Sequence, residues 1–163
     1  MTNDTEHFAK LIKETKFAML TTVNRSGDLR SRPMTLVENE FNGDLWFFTH
    51  QSSDLASQVK AQPKVNLAFA NVKDNSYVSA CGQAEIVTDK AKEKYFWNPL
   101  FKAWFPEGLE DPDLCLLKVS VESADYWDSP AAPIVKLVGF AKAVLTGKPA
   151  GPELGTHGHI NLN

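Results

Sequence analysis

Between residues 17 and 50, three apolar segments are separated by turns too short to hold a crossover helix. Phe17–Val23 has the length and composition of a buried strand, and Leu29–Val37 follows after Asn24, Arg25, Ser26, Gly27 and Asp28. Gly27 can take positive φ, so this pair is expected to form a hairpin. A second turn, Glu38 to Asp44, contains Asn42-Gly43, a strong hairpin signal, and leads into the aromatic strand Leu45–His50. Strands joined this way run antiparallel. That argues against a parallel, doubly wound sheet and for an antiparallel barrel with appended helices, a mainly β architecture of the α+β type.

The rest of the chain fits around that sheet. Phe8, Leu11 and Ile12 recur at helical spacing behind the capping candidates Asp4 and Thr5. Leu55, Ala56 and Val59 do the same between Ser52 and Gln62, where Pro63 stops the helix. Val65–Ala70, Tyr77–Val87 and Leu114–Trp127 are further strands, and Lys90–Trp97 is helical. Asn98–Asp113 carries Pro99, Pro106 and Pro112 and is expected to be irregular. Ile134, Leu137, Val138, Ala141 and Leu145 predict a last helix, with Gly147 as its C-cap. Residues 1–147 then form one domain, and the Gly- and Pro-rich stretch 148–163 is expected to be a loose tail.

Composition narrows the function classes. The formal net charge is −3, so a phosphate backbone is repelled overall and no nucleic-acid partner is expected. The polar N-terminus lacks a basic-then-apolar signal and no apolar run approaches membrane-spanning length, which makes the cytoplasm the expectation, with no membrane partner. Cys81 and Cys115 sit in apolar runs and are expected to be buried, reduced thiols. His157 and His159 lie two apart near the C-terminus, a weak metal signal, and no metal site is expected. No Ser/His/Asp set and no carboxylate pair suited to hydrolysis stands out, so catalysis would have to come from a cofactor.

Three constellations can carry chemistry. Arg30 and Arg32 fall on one face of the second strand, where a planar guanidinium offers bidentate bonds to phosphate; on composition alone a solvated face paired with carboxylates is the favoured reading. Pro33 removes a ladder donor, which places this segment at an edge or a bulge. The run from Thr49 to Asp54 passes from a strand directly into a helix N-terminus, where Ser52 and Ser53 could cap the helix or leave amides free for an anion. Tyr95, Phe96, Trp97, Phe101, Trp104 and Phe105 place six aromatics in eleven residues. They can pack into the core or cover the barrel mouth, a planar ligand or a second subunit.

Four stretches of this chain resemble the general stress protein 26 group of the pyridoxamine 5′-phosphate oxidase-related, FMN-binding split-barrel superfamily. They are residues 31–34, Leu45–Thr49 with Ser53, residues 97–113, and Tyr126–Pro130; the likeness spans about residues 5 to 148. The resemblance implies a split barrel that works as a homodimer with FMN at the subunit interface; FAD would use the same phosphate site. It places Arg32 on the phosphate or ribityl chain, and the backbone of Pro33, Met34 and Thr35 along the isoalloxazine edge. It sets Phe48 and Thr49 near the phosphate end and Ser53 on the phosphate itself. Leu55 stands where the family usually carries a lysine. Trp97, Phe101 or Trp127 would wall the flavin. The activity it implies is that of a low-activity flavin oxidoreductase. The alternatives are a non-enzymatic flavin-binding module and a true pyridoxamine 5′-phosphate oxidase.

Overall fold

The computed structural model describes residues 3–37, 40–129, 141–147 and 155–162. The chain opens with helix α1 (Asn3–Thr15), then strands β1 (Phe17–Val23), β2 (Leu29–Thr35) and β3 (Asp44–His50). Helix α2 (Asp54–Ala61), strands β4 (Lys64–Asn71) and β5 (Ser76–Val87), and helix α3 (Lys90–Phe96) follow. Two 3-10 turns, Pro99–Ala103 and Gly108–Glu110, lead into the long strand β6 (Leu114–Asp128), and β7 (Thr156–Asn161) ends the described chain.

All described pairings are antiparallel, in the order β2-β1-β4-β5-β6-β3, with β7 also on β6. The sheet curls into a half-barrel, the split-barrel architecture. Leu20, Leu67, Phe69 and Leu117 fill its concave side, and α1 and α2 close it with Phe8, Leu11, Ile12, Leu55 and Val59. The alternate residues of β1, β4, β5 and β6 point the other way. Phe17, Met19, Tyr77 and Trp127 on this convex face are 39–55% exposed, a band of apolar surface with no described helix over it.

Several expectations hold in detail. The β1–β2 hairpin forms with Gly27 at φ 86°, and Pro33 lies on the edge strand β2. The last helix is seen only at residues 141–146, since 130–140 lie outside the described residues. Its cap is as expected: Gly147 has φ 64° and its amide donates to the Ala143 carbonyl at 2.9 Å.

Three expectations are corrected. The Asn42-Gly43 turn does not join β2 and β3 in a hairpin. β3 pairs along its whole length with β6, from Asp44 opposite Ser120 to His50 opposite Leu114, and the Val37 amide reaching the Trp46 carbonyl at 3.0 Å is the backbone bond joining the end of β2 to β3. The reason is burial: Leu45 to Thr49 are all buried, and β6 offers the matching apolar run Leu114–Leu117. The stretch after 148 is not loose throughout. Residues 156–161 form β7 on the second half of β6 and bury Ile160, while 148–154 lie outside the described residues. Of the two thiols, Cys115 is fully buried but Cys81 is half-exposed, opposite Ser123 on the convex face.

β6 can serve β3, β5 and β7 because it is long and bulged. The register with β5 slips between Cys81 and Gly82. At Gly82 a Cβ atom would overlap the Ser120 carbonyl oxygen, so only glycine permits this backbone approach.

Candidate functional site

Arg32 alternates with Met34 on the concave side of β2, across from Leu20 and next to Thr22 of β1. One guanidinium nitrogen donates to Thr22 Oγ1 at 2.9 Å and another to Gln58 Oε1 at 3.0 Å. Thr22, with no exposed surface, donates its own hydroxyl proton to Gln58 Oε1 at 2.6 Å. These partners are neutral, and among the described residues no carboxylate lies within ion-pair distance of either Arg30 or Arg32. The solvated, carboxylate-paired reading therefore fails for Arg32, while Arg30 stands exposed. Partial burial pulls the Arg32 pKa below its ordinary value, with Asp54 opposing that shift and Arg30 adding to it.

Gln58 ties Arg32 to α2, whose start is built by capping. Ser53 Oγ accepts the Ala56 amide at 3.1 Å and donates to the His50 carbonyl at 2.6 Å, with Thr49 Oγ1 at 3.3 Å. Ser53 and Gln58 are five residues apart, about 7.5 Å along a helix axis. Ser52 is already engaged: its amide and hydroxyl donate to the Asp113 carboxylate at 3.0 and 2.5 Å. The Ser52 bond chiefly holds the Asp113 pKa below the usual carboxylate range.

From the residue after Arg32 onward the chain opens an uncharged groove of about 430 Å³, part of it open to solvent; Arg32 itself does not line it. Pro33, Met34, Thr35 and Val37 form one side; Phe48, Phe101, Trp104 and Phe105 form the other. The aromatic segment is held over β3 by ring contacts. Phe48 lies 5.4 Å from both Trp97 and Phe101 and 6.0 Å from Phe105, centroid to centroid. Its far end is pinned by His50 Nε2 on Asp111 Oδ2 at 3.1 Å and by Gln51 on the Pro112 carbonyl at 3.2 Å.

The structure thus brings Pro33, Met34, Thr35 and Phe48 together around the groove, with Arg32 next to them on β2 and tied through Gln58 to the helix that Ser53 caps, where Thr49 also lies. Three other candidates stand apart. Leu55 is 4% exposed and packs into the main core, not toward Arg32. Trp97 supports the groove from behind, through Phe48 and Phe101, without lining it. Trp127 sits at the end of β6 on the convex face, stacked on His157 at 5.0 Å, with β1, β4 and β5 between it and β2. Thr22 and Gln58 escaped the sequence reading. Their signal, a polar residue at an inward strand position and another on the apolar side of a helix, has no meaning until the two elements meet.

His157 and His159 converge on Asp125 Oδ1 at 3.5 and 2.9 Å. Among the described residues no group of three or more His, Cys, Asp or Glu side chains is arranged to hold a metal ion. No helix of the described residues is long and apolar enough to cross a membrane.

Comparison with known proteins agrees with this geometry. The family model described as pyridoxamine 5′-phosphate oxidase like matches residues 3–150. Protein bli-3 of Neurospora crassa is 35% identical over 145 residues, covering 83% of this chain and 69% of that protein. A crystal structure of a candidate general stress protein 26 from a Jannaschia species superposes with a TM-score of 0.78 at 28% identity, over 99% of this chain and 100% of that one. The general stress FMN/FAD binding protein of Xanthomonas citri gives a TM-score of 0.68 at 30% identity, over 78% of this chain and 89% of that one. The chain belongs to the pyridoxamine 5′-phosphate oxidase-like family, in its general stress protein 26 group.

Proposed function

We propose that this chain is an FMN-binding protein that works as a homodimer and as a low-activity flavin-dependent oxidoreductase. One observation carries the reading: an uncharged, aromatic-walled groove begins at Pro33, next along β2 to an arginine that makes no ion pair with a described carboxylate. A flat, largely apolar ring system suits the first feature and a phosphate suits the second. The FMN/FAD binding named for the Xanthomonas citri relative supports a flavin. In this arrangement Arg32 grips the phosphate, with Thr49 and Ser53 at the adjacent helix start. The main chain of 33–35 lies along the ring edge, and Phe101, Trp104 and Phe105 exclude water from its face. A bound flavin supplies hydride and single-electron chemistry.

The convex face supports the dimer. Pro33 and Thr35 belong both to the groove and to the sheet face carrying Phe17 and Met19. A second copy packed on that face would bring its Trp127 toward the groove, which Trp127 of the same chain does not line. Groove and interface would then complete one another.

One observation favours a second reading, a module that binds flavin without turning over. None of the groove's lining side chains is an acid or base near neutral pH. The same neutrality disfavours pyridoxamine 5′-phosphate as substrate, because a second phosphate would need a second cation.

The absorption spectrum of the purified protein, before and after reconstitution with FMN, tests the flavin. The expected result is a yellow protein whose released ligand has the mass of FMN; a protein that stays colourless with FMN and FAD overturns the reading. Multiple-turnover oxidation of NADH or NADPH separates the oxidoreductase from the sequestering module. Arg32→Ala is expected to weaken FMN roughly 10- to 100-fold, the worth of a charge-assisted contact, while leaving riboflavin unchanged. Isothermal titration with both ligands reads this directly.

A further inference from the structure

We infer that Gln58, acting with Thr22, is a positioning residue that presents Arg32 as an unneutralised cation and so sets the preference for a phosphorylated over an unphosphorylated flavin. The inference rests on the flavin reading and deepens it.

The three side chains close a ring of hydrogen bonds. Arg32 donates to Thr22 Oγ1 at 2.9 Å and to Gln58 Oε1 at 3.0 Å, and Thr22 donates to Gln58 Oε1 at 2.6 Å. The polarity is consistent throughout: the hydroxyl accepts from the guanidinium and passes its single proton to the amide oxygen. Thr22 has no exposed surface, so it is a fixed point; Gln58 is half-buried on a packed helix. The long Arg32 side chain is thereby ordered before any ligand arrives, which lowers the entropy lost on binding.

The chemical identity of the acceptors matters as much as their position. A guanidinium has five N–H donors. Two bonds to neutral oxygens orient it and leave donors and the whole formal charge available. A glutamate at position 58 would keep the orientation but neutralise the cation, and a phosphate would then meet an ion pair instead of a free charge. No nearby carboxylate does this by direct pairing: the field of the exposed Asp54 reaches Arg32 but the two make no ion pair, and the Asp113 carboxylate is engaged by Ser52. A merely structural Gln58 would affect folding, not the discrimination between two ligands that share a ring.

The full chain is titrated with FMN and with riboflavin, which differ by the phosphate alone, following the quenching of flavin fluorescence. Gln58→Glu is expected to weaken FMN roughly 10- to 100-fold and leave riboflavin within about twofold, with a melting temperature at or above that of the parent protein. Thr22→Val, which keeps the shape and removes the hydroxyl, is expected to shift the same ratio in the same direction by a smaller factor. If Gln58→Glu does not fold, the Thr22→Val ratio decides. An unchanged FMN-to-riboflavin ratio in the folded variants overturns the inference while leaving the flavin reading intact. A parent protein that binds neither ligand overturns both.

Discussion

At the scale of single residues, chemistry depends on which face a side chain was given. Leu55 occupies the position where a phosphate-binding lysine is usual in the family, but here it is core, 4% exposed beside Val59. Restoring the lysine is therefore expected to harm, not help. Leu55→Lys should lose about 2–4 kcal/mol of stability in urea unfolding, because it deletes packing and buries an ammonium, with no gain in FMN affinity. Cys115 shows burial acting on a proton. Desolvation first, then the field of Asp113 and Glu93, raises its pKa from 9.0 to about 11. In the unfolded chain this thiol ionises earlier, so the folded state holds the extra proton between those values. Stability is fully present below pH 9 and falls as pH rises toward 11. A Cys115→Ala variant should show a flatter decline over that window in thermal melts recorded by circular dichroism. The half-exposed Cys81 should alkylate first in the native protein.

At the scale of elements, the site depends on two strands that could not pair as their sequence suggested. The Asn42-Gly43 turn has the residues of a hairpin, and Gly43 does take φ 107°. Yet the turn sends β3 to β6, because β3 is apolar on both faces and needs a partner that is buried. That choice places Phe48 opposite the β2 edge and opens the groove between them. β6 reaches all its partners through the bulge at Gly82. Gly82→Ala is expected to cost at least about 2 kcal/mol, since the new methyl group meets backbone and not a movable side chain. Chemical denaturation monitored by tryptophan fluorescence would measure it; an unchanged midpoint would show that β5 and β6 can separate there freely.

At the scale of the whole molecule, the half-barrel leaves one sheet face to be covered, and the proposed dimer covers it. Met19 stands in the middle of that face, 43% exposed and opposite Pro33 and Ala68 on the neighbouring strands. Met19→Arg is expected to shift the protein toward monomer in sedimentation velocity runs and to weaken FMN with it, because each groove would lose the cover that the second copy adds in the proposed dimer. Much of this was legible in advance. The positions of α1, α2 and α3, the strand limits to within two residues, the Gly27 turn and the edge position of Pro33 all follow from local rules: apolar period, cap residues and backbone freedom. The sequence also pointed to Arg32, since a guanidinium on a mostly apolar strand needs an acceptor wherever that strand goes. It could not name Thr22 and Gln58, separated by 36 positions. Nor could it foresee that Trp127 would stand at the far end of β6 from the Leu116 that pairs with Phe48, or that residues 156–161 would become a strand. Local propensity is decided within a few residues, so the chain's elements were written in its sequence. Which elements face each other is decided by the burial of all their apolar surfaces together, so the neutral cradle around Arg32 and the groove beside it exist only in the folded molecule.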